Sequence, residues 1–185
     1  MKFSKKILFL ILLFISLSTR IFATGAGIQL SAKPSLLVND QGVDFEQFTG
    51  RLIGTVKLSR IPVAAGFGFE AGKSGSAFAY GFTGFADYYA VDLQLKNTWN
   101  VYSGFGAEGS FLTSDFKNWG MSAGARFFIG MNWLFWDNYL EFYIQQNAVP
   151  AYTRSLKSST SDSGSGSKGT FIFSMPFESG LRFNF

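Results

Sequence analysis

From residue 26 to residue 185, apolar side chains recur at every second position, in segments of about ten residues. That period belongs to a strand, because successive side chains of an extended chain point to opposite faces. In residues 48–58 one face reads Phe48, Gly50, Leu52, Gly54, Val56, Leu58, and the other Thr49, Arg51, Ile53, Thr55, Lys57. In residues 63–70, Val63, Ala65, Phe67 and Phe69 alternate with Ala64, Gly66, Gly68 and Glu70. The pattern returns in 77–88, 99–111, 121–129, 140–145 and 171–185, and more weakly in 26–33. Eight such segments match the roughly 9–11 residues that a tilted strand needs to cross a bilayer. Beyond residue 23 no stretch holds 18 consecutive apolar residues, so no membrane-spanning helix is expected there.

The two faces differ in a way that sets their direction. One holds Arg51, Lys57, Glu70, Asp87, Glu108, Arg126, Glu141, Glu178 and Arg182 among many glycines. The other is nearly free of charge and carries most of the 23 Phe. A charge at the bilayer midplane costs about 2–4 kcal/mol on the lipid face of a barrel. The Phe face is therefore read as facing lipid, and the polar face as a lumen in which cations and anions pair. The nine charges form a structural network on this reading, because unpaired burial would cost more than mutual pairing. The expected fold is all-β: an eight-stranded antiparallel transmembrane β-barrel with short periplasmic turns and longer extracellular loops.

The links fit that topology. The link at 59–61 is tight, and 90–98 and 130–137 lie on the same side. The alternate links, 35–46, 71–76, 112–118 and 150–169, lie on the other side, and the last contains the Ser/Gly tract SLKSSTSDSGSGSK. Trp99, Trp133, Trp136, Phe183 and Phe185 would form one aromatic girdle. Phe48, Phe78, Phe111, Trp119 and Phe171 would form the other.

The N-terminus reads as a secretory signal over residues 1–23, leaving residues 24–185 as the barrel. Lys2, Lys5 and Lys6 precede the apolar run 7–17, and Ile21-Phe22-Ala23 ends it. The net charge of +4 comes from Lys2, Lys5, Lys6 and Arg20, so the remaining 12 basic and 12 acidic residues cancel. No basic patch then survives for nucleic acid. The chain has no Cys and no His, which removes disulfides, Cys/His metal sites, Cys nucleophiles and His-based triads. Ala71-Gly72-Lys73-Ser74 lacks the upstream Gly of a phosphate loop, since position 67 is Phe. No catalytic, cofactor or metal site is expected, and no enzymatic activity.

The ending Gly180-Leu181-Arg182-Phe183-Asn184-Phe185 resembles the terminal-strand signal of outer-membrane barrels, with Leu181, Phe183 and Phe185 as its alternating apolar positions. Residues 85–111 and 124–143 resemble the small OmpW-like or OmpX-like eight-stranded barrels found in spirochaetes. The resemblance implies insertion by the barrel-assembly machinery into the outer membrane of a diderm bacterium, with outer-membrane lipid as the surrounding partner. It implies a structural or surface-interaction role, in which the loops at 36–46 and 150–169 contact an extracellular protein, adhesion or host-factor binding included. The alternative is a narrow channel or conduit for small apolar ligands.

Overall fold

The structure is a computed structural model; it describes residues 23–39, 42–58, 61–74, 77–96, 98–116, 118–156 and 169–185. The strands in chain order are β1 (Ala23–Asn39), β2 (Gly42–Leu58), β3 (Val63–Ser74), β4 (Ala77–Lys96), β5 (Trp99–Thr113), β6 (Trp119–Phe135), β7 (Leu140–Leu156), β8 (Thr170–Ser174) and β9 (Phe177–Asn184). Every pairing is antiparallel, and β1 pairs with β2 on one edge and with β8 and β9 on the other. The sheet therefore closes on itself.

β8 and β9 are two halves of one stave, since both run between β1 and β7. The ring thus has eight staves. The interruption falls at Met175-Pro176, where the proline has no N–H to give to the ladder. Two backbone bonds bridge the gap: Met175 N–H donates to the Pro34 carbonyl at 3.0 Å, and Asn147 N–H to the Pro176 carbonyl at 2.9 Å.

Burial alternates along each strand. In β2, residues 49, 51, 53, 55 and 57 point inward, while Phe48, Leu52 and Val56 are exposed. Phe67, Phe69 and Ile129 are each at least 60% exposed. So wide an apolar surface suits hydrocarbon and not water. In β2 from Phe48 to Val56, β3 from Val63 to Ala71, β5 from Trp99 to Phe111 and β6 from Trp119 to Phe135, no outward position is charged. At one rim Trp99 stacks edge-on to Trp133 at 4.8 Å, and Tyr139 to Phe183 at 5.9 Å. These rings form an aromatic level at the end that carries both described termini.

The strands are longer than the alternation indicates. β1 reaches Asn39 and β2 starts at Gly42, with Leu36 opposite Phe45 and Val38 opposite Val43. Residues 36–46 are therefore mostly a paired hairpin end and not the open loop that the sequence suggests. Links 90–98 and 130–137 shrink in the same way, because β4 continues to Lys96 and β6 to Phe135. The reason is physical: beyond the bilayer both faces meet water, so the hydropathy alternation ends while backbone pairing continues. Residues 90–96 show this, being exposed on both faces. Of the leader read over 1–23, residues 1–22 lie outside the described residues, as do residues 157–168 of the Ser/Gly tract.

Inside the barrel, the large inward rings lie over glycines of neighbouring strands. Phe85 is opposite Gly66, Tyr102 opposite Gly130, Phe128 opposite Gly104, and Tyr143 opposite Gly180. A Cβ on Gly66 would sit 2.5 Å from the Phe85 ring and 2.8 Å from Ile53. The glycines give the rings room, and the rings cover bare backbone. Gly66→Val is expected to lower barrel stability by about 1–3 kcal/mol through overpacking, measured as a lower thermal midpoint of the folded gel band. Gly50, whose added Cβ would meet only Ala71 O at 3.9 Å, is the control that should tolerate the same change.

Candidate functional site

The distinctive polar feature is a layer of ion pairs across the lumen. Arg126 on β6 is fully buried and meets three carboxylates from three strands. Its Nε lies 2.9 Å from Asp87 Oδ1, its Nη1 donates to Glu108 Oε2 at 3.1 Å and Glu178 Oε1 at 3.1 Å, and its Nη2 bonds Glu178 Oε2. The guanidinium fork suits such multiple contacts, which a point-like ammonium could not make. Arg126 also lies over the Phe85 ring, 4.3 Å from its centroid.

Arg51 on β2 extends the layer. Its Nε donates to Glu70 Oε2 at 3.0 Å, and its Nη1 to Glu108 Oε2 at 3.0 Å. Thr49 Oγ1 donates to Glu70 Oε1 at 2.7 Å. Glu108 thus joins Arg51 to Arg126, and β2, β3, β4, β5, β6 and β9 are tied across the interior rather than only through neighbours.

A second, smaller cluster lies toward the rim with the termini. Arg182 Nη1 donates to Glu141 Oε2 at 3.1 Å, and Asn132 Nδ2 to Glu141 Oε1 at 2.7 Å. Arg182 stands over the Tyr143 ring at 4.7 Å. Lys57 Nζ reaches only to 4.0 Å from Glu141 Oε1, and its side chain is 24% exposed. The geometry places Arg51, Glu70, Asp87, Glu108, Arg126 and Glu178 together. It sets Lys57, Glu141 and Arg182 apart, with Lys57 over Tyr89 of the ring cluster Tyr89, Tyr102 and Phe128.

Lys33 also belongs to the central layer, and the sequence reading leaves it out. It is buried, with Nζ 3.0 Å from Glu108 Oε1 and 3.5 Å from Glu70 Oε1. Its signal is parity: Lys33 is in phase with Gln29 and Ser31, the buried face of β1. With it, the lumen network has five cations (Lys33, Arg51, Lys57, Arg126, Arg182) and five anions (Glu70, Asp87, Glu108, Glu141, Glu178), so its formal charge is zero. Neutrality matters because an excess charge in a closed interior would have no counterion.

The layer separates two cavities. One, of about 530 Å³, lies toward the rim of the termini and is lined by Lys57, Asn100, Asn132, Glu141 and Asn184. The other, of about 270 Å³, lies toward the opposite hairpins above Lys33. Leu181, Phe183 and Phe185 all point outward on the terminal stave and are at least 41% exposed.

No family model matches the sequence, and no curated protein sequence matches it. Solved structures do match. Neisserial surface protein A is 14% identical, with 86% of this chain and 97% of that one covered and a TM-score of 0.50. The Ail attachment invasion locus protein of Yersinia pestis is 13% identical, with 88% and 100% covered and a TM-score of 0.41. The outer membrane protease OmpT of Escherichia coli is 8% identical, with 87% and 96% covered and a TM-score of 0.35. The protease corrects one expectation. Barrels among the matches include an enzyme, so the expectation of no enzymatic activity does not stand and enzyme status is open. These comparisons reach the barrel class and do not separate OmpW-like from OmpX-like members within it. The fold is that of the eight-stranded outer-membrane β-barrels.

Proposed function

We propose that the chain is an integral outer-membrane barrel with a structural and surface-interaction role, displaying its hairpin ends outside the cell. The observation that carries this reading is the buried ion-pair layer, whose members Arg126, Arg51, Glu70 and Glu178 are at most 4% exposed. Such a layer stiffens the wall and closes the lumen, as an eight-stranded barrel is filled by its own side chains. A rigid scaffold of this kind holds its connections in place, and connections carry recognition. Leu181, Phe183 and Phe185 serve as the assembly signal read by the barrel-assembly machinery, and the membership is OmpW-like or OmpX-like. The partner is an extracellular protein met by the hairpin end at 36–46 and the connection at 150–169.

The test combines orientation with conduction. An epitope inserted at residue 160, between β7 and β8, should be labelled by antibody on intact cells, and one inserted at residue 97 should not. Purified barrel in planar bilayers should show no steady conductance. A steady conductance that disappears in Glu108→Ala would instead support the conduit for small solutes. Labelling at residue 97 alone would invert the barrel and remove the display role.

A further inference from the structure

Above the ion-pair layer lies a cavity whose lining includes side chains with unpaired polar groups. It occupies about 270 Å³ at the hairpin end of the lumen, and its walls come from different strands: Lys33, Gln47, Ala79, Ser110, Ser122 and Thr153. Small side chains at 79, 110 and 122 create the space. Two polar atoms in its lining, Gln47 Nε2 and Thr153 Oγ1, are buried and lack a hydrogen-bond partner among the described residues. A buried donor left unpaired costs about 1–3 kcal/mol. Two such groups, on β2 and on β7, flank one cavity. Both side chains line the cavity, and a turn of either one brings an unpaired hydrogen-bonding group to whatever enters.

The electrostatics select the class of ligand. Lys33 forms the floor, but its ammonium is held by Glu108 at 3.0 Å and Glu70 at 3.5 Å. The central layer counts three cations (Lys33, Arg51, Arg126) against four anions (Glu70, Asp87, Glu108, Glu178), so no cation is left over for an anionic ligand. The remaining lining mixes hydroxyl and amide groups with apolar side chains, Trp119 and Met121 among them. The hydroxyls of Ser110, Ser122 and Thr153 can donate or accept, and the Gln47 amide can do both at once. Ile172 and Leu112 add apolar wall. The volume lies just under the roughly 300–1,000 Å³ of pockets for drug-sized ligands. We infer that this cavity binds a neutral polyhydroxyl compound of about one sugar ring, free or at the end of a glycan, entering from the hairpin side.

The test uses full-length barrel in dodecylphosphocholine micelles, a detergent without sugar, and follows the Ile172 methyl resonance. Methyl glucopyranoside and maltohexaose are the probes. Saturable shifts with methyl glucopyranoside alone support a free sugar, and shifts with both support a glycan end. Glucose 6-phosphate should bind at least tenfold more weakly. Gln47→Leu and Thr153→Val should each lose at least tenfold in affinity while the thermal midpoint stays level or rises, because each removes an unpaired buried group. Three results would overturn the inference. One is no saturable shift with either sugar. The second is equal or tighter binding of the phosphate. The third is a lower thermal midpoint in both variants, which would make these groups part of a hydrated fold.

Discussion

Arg126→Leu is expected to destabilise the barrel by about 3–5 kcal/mol, the cost of leaving buried charges without their partner. The size follows from what the side chain holds. Its guanidinium is fully buried and touches Asp87, Glu108 and Glu178, which come from three strands. Leucine would fill part of the volume but leave three carboxylates facing one another in a closed interior. Lys57→Met is the contrast. Its ammonium is part exposed and 4.0 Å from Glu141, so its loss should cost no more than about 1 kcal/mol. Both are read from the temperature at which the compact, unboiled gel band converts to the unfolded one. If Arg126→Leu melts with wild type while Lys57→Met does not, the central layer is not where the barrel's ionic stability lies.

Leu52→Arg should cost about 2–4 kcal/mol in lipid, the value for a basic side chain at the midplane of a barrel's outer face. Leu52 is 53% exposed and lies between Leu30 and Phe69 on adjacent strands. Leu58→Arg, at the end of the same strand, should cost only about 0–1 kcal/mol, because the penalty falls toward the interface. Folding yield into vesicles against denaturant measures both. A soluble barrel with an apolar interior would show no such depth dependence, since its outward face would already be in water.

The inward and outward faces were legible because the two solvents differ: lipid excludes charge, and a narrow lumen demands pairing. Parity alone therefore separated Arg51 from Leu52 and Glu108 from Ala107. Where adjacent residues are all apolar, as in Phe127-Phe128-Ile129, hydropathy alone gives no direction, and only the phase with Arg126 shows that Phe128 points inward over Gly104. Lys33 escaped for a related reason, since the first segment alternates weakly and Pro34 follows directly. Strand ends were invisible because nothing in water distinguishes the faces of residues such as 90–96. The pairing partners were not readable either. Arg126 meets Glu178 from 52 residues away in sequence, and that contact exists only once the ring has closed.

The most direct test of the lipid-facing assignment uses the lack of native cysteine. Single cysteines at 50, 51, 52, 53, 54, 55 and 56, labelled with a small fluorophore in barrel folded into vesicles, report their surroundings through quenching by brominated acyl chains. Quenching should alternate, strong at 50, 52, 54 and 56 and weak at 51, 53 and 55. Strong quenching at 51, 53 and 55 with weak quenching at the even positions would turn the barrel inside out. Uniformly weak quenching, with protein that stays soluble without detergent, would remove it from the membrane altogether.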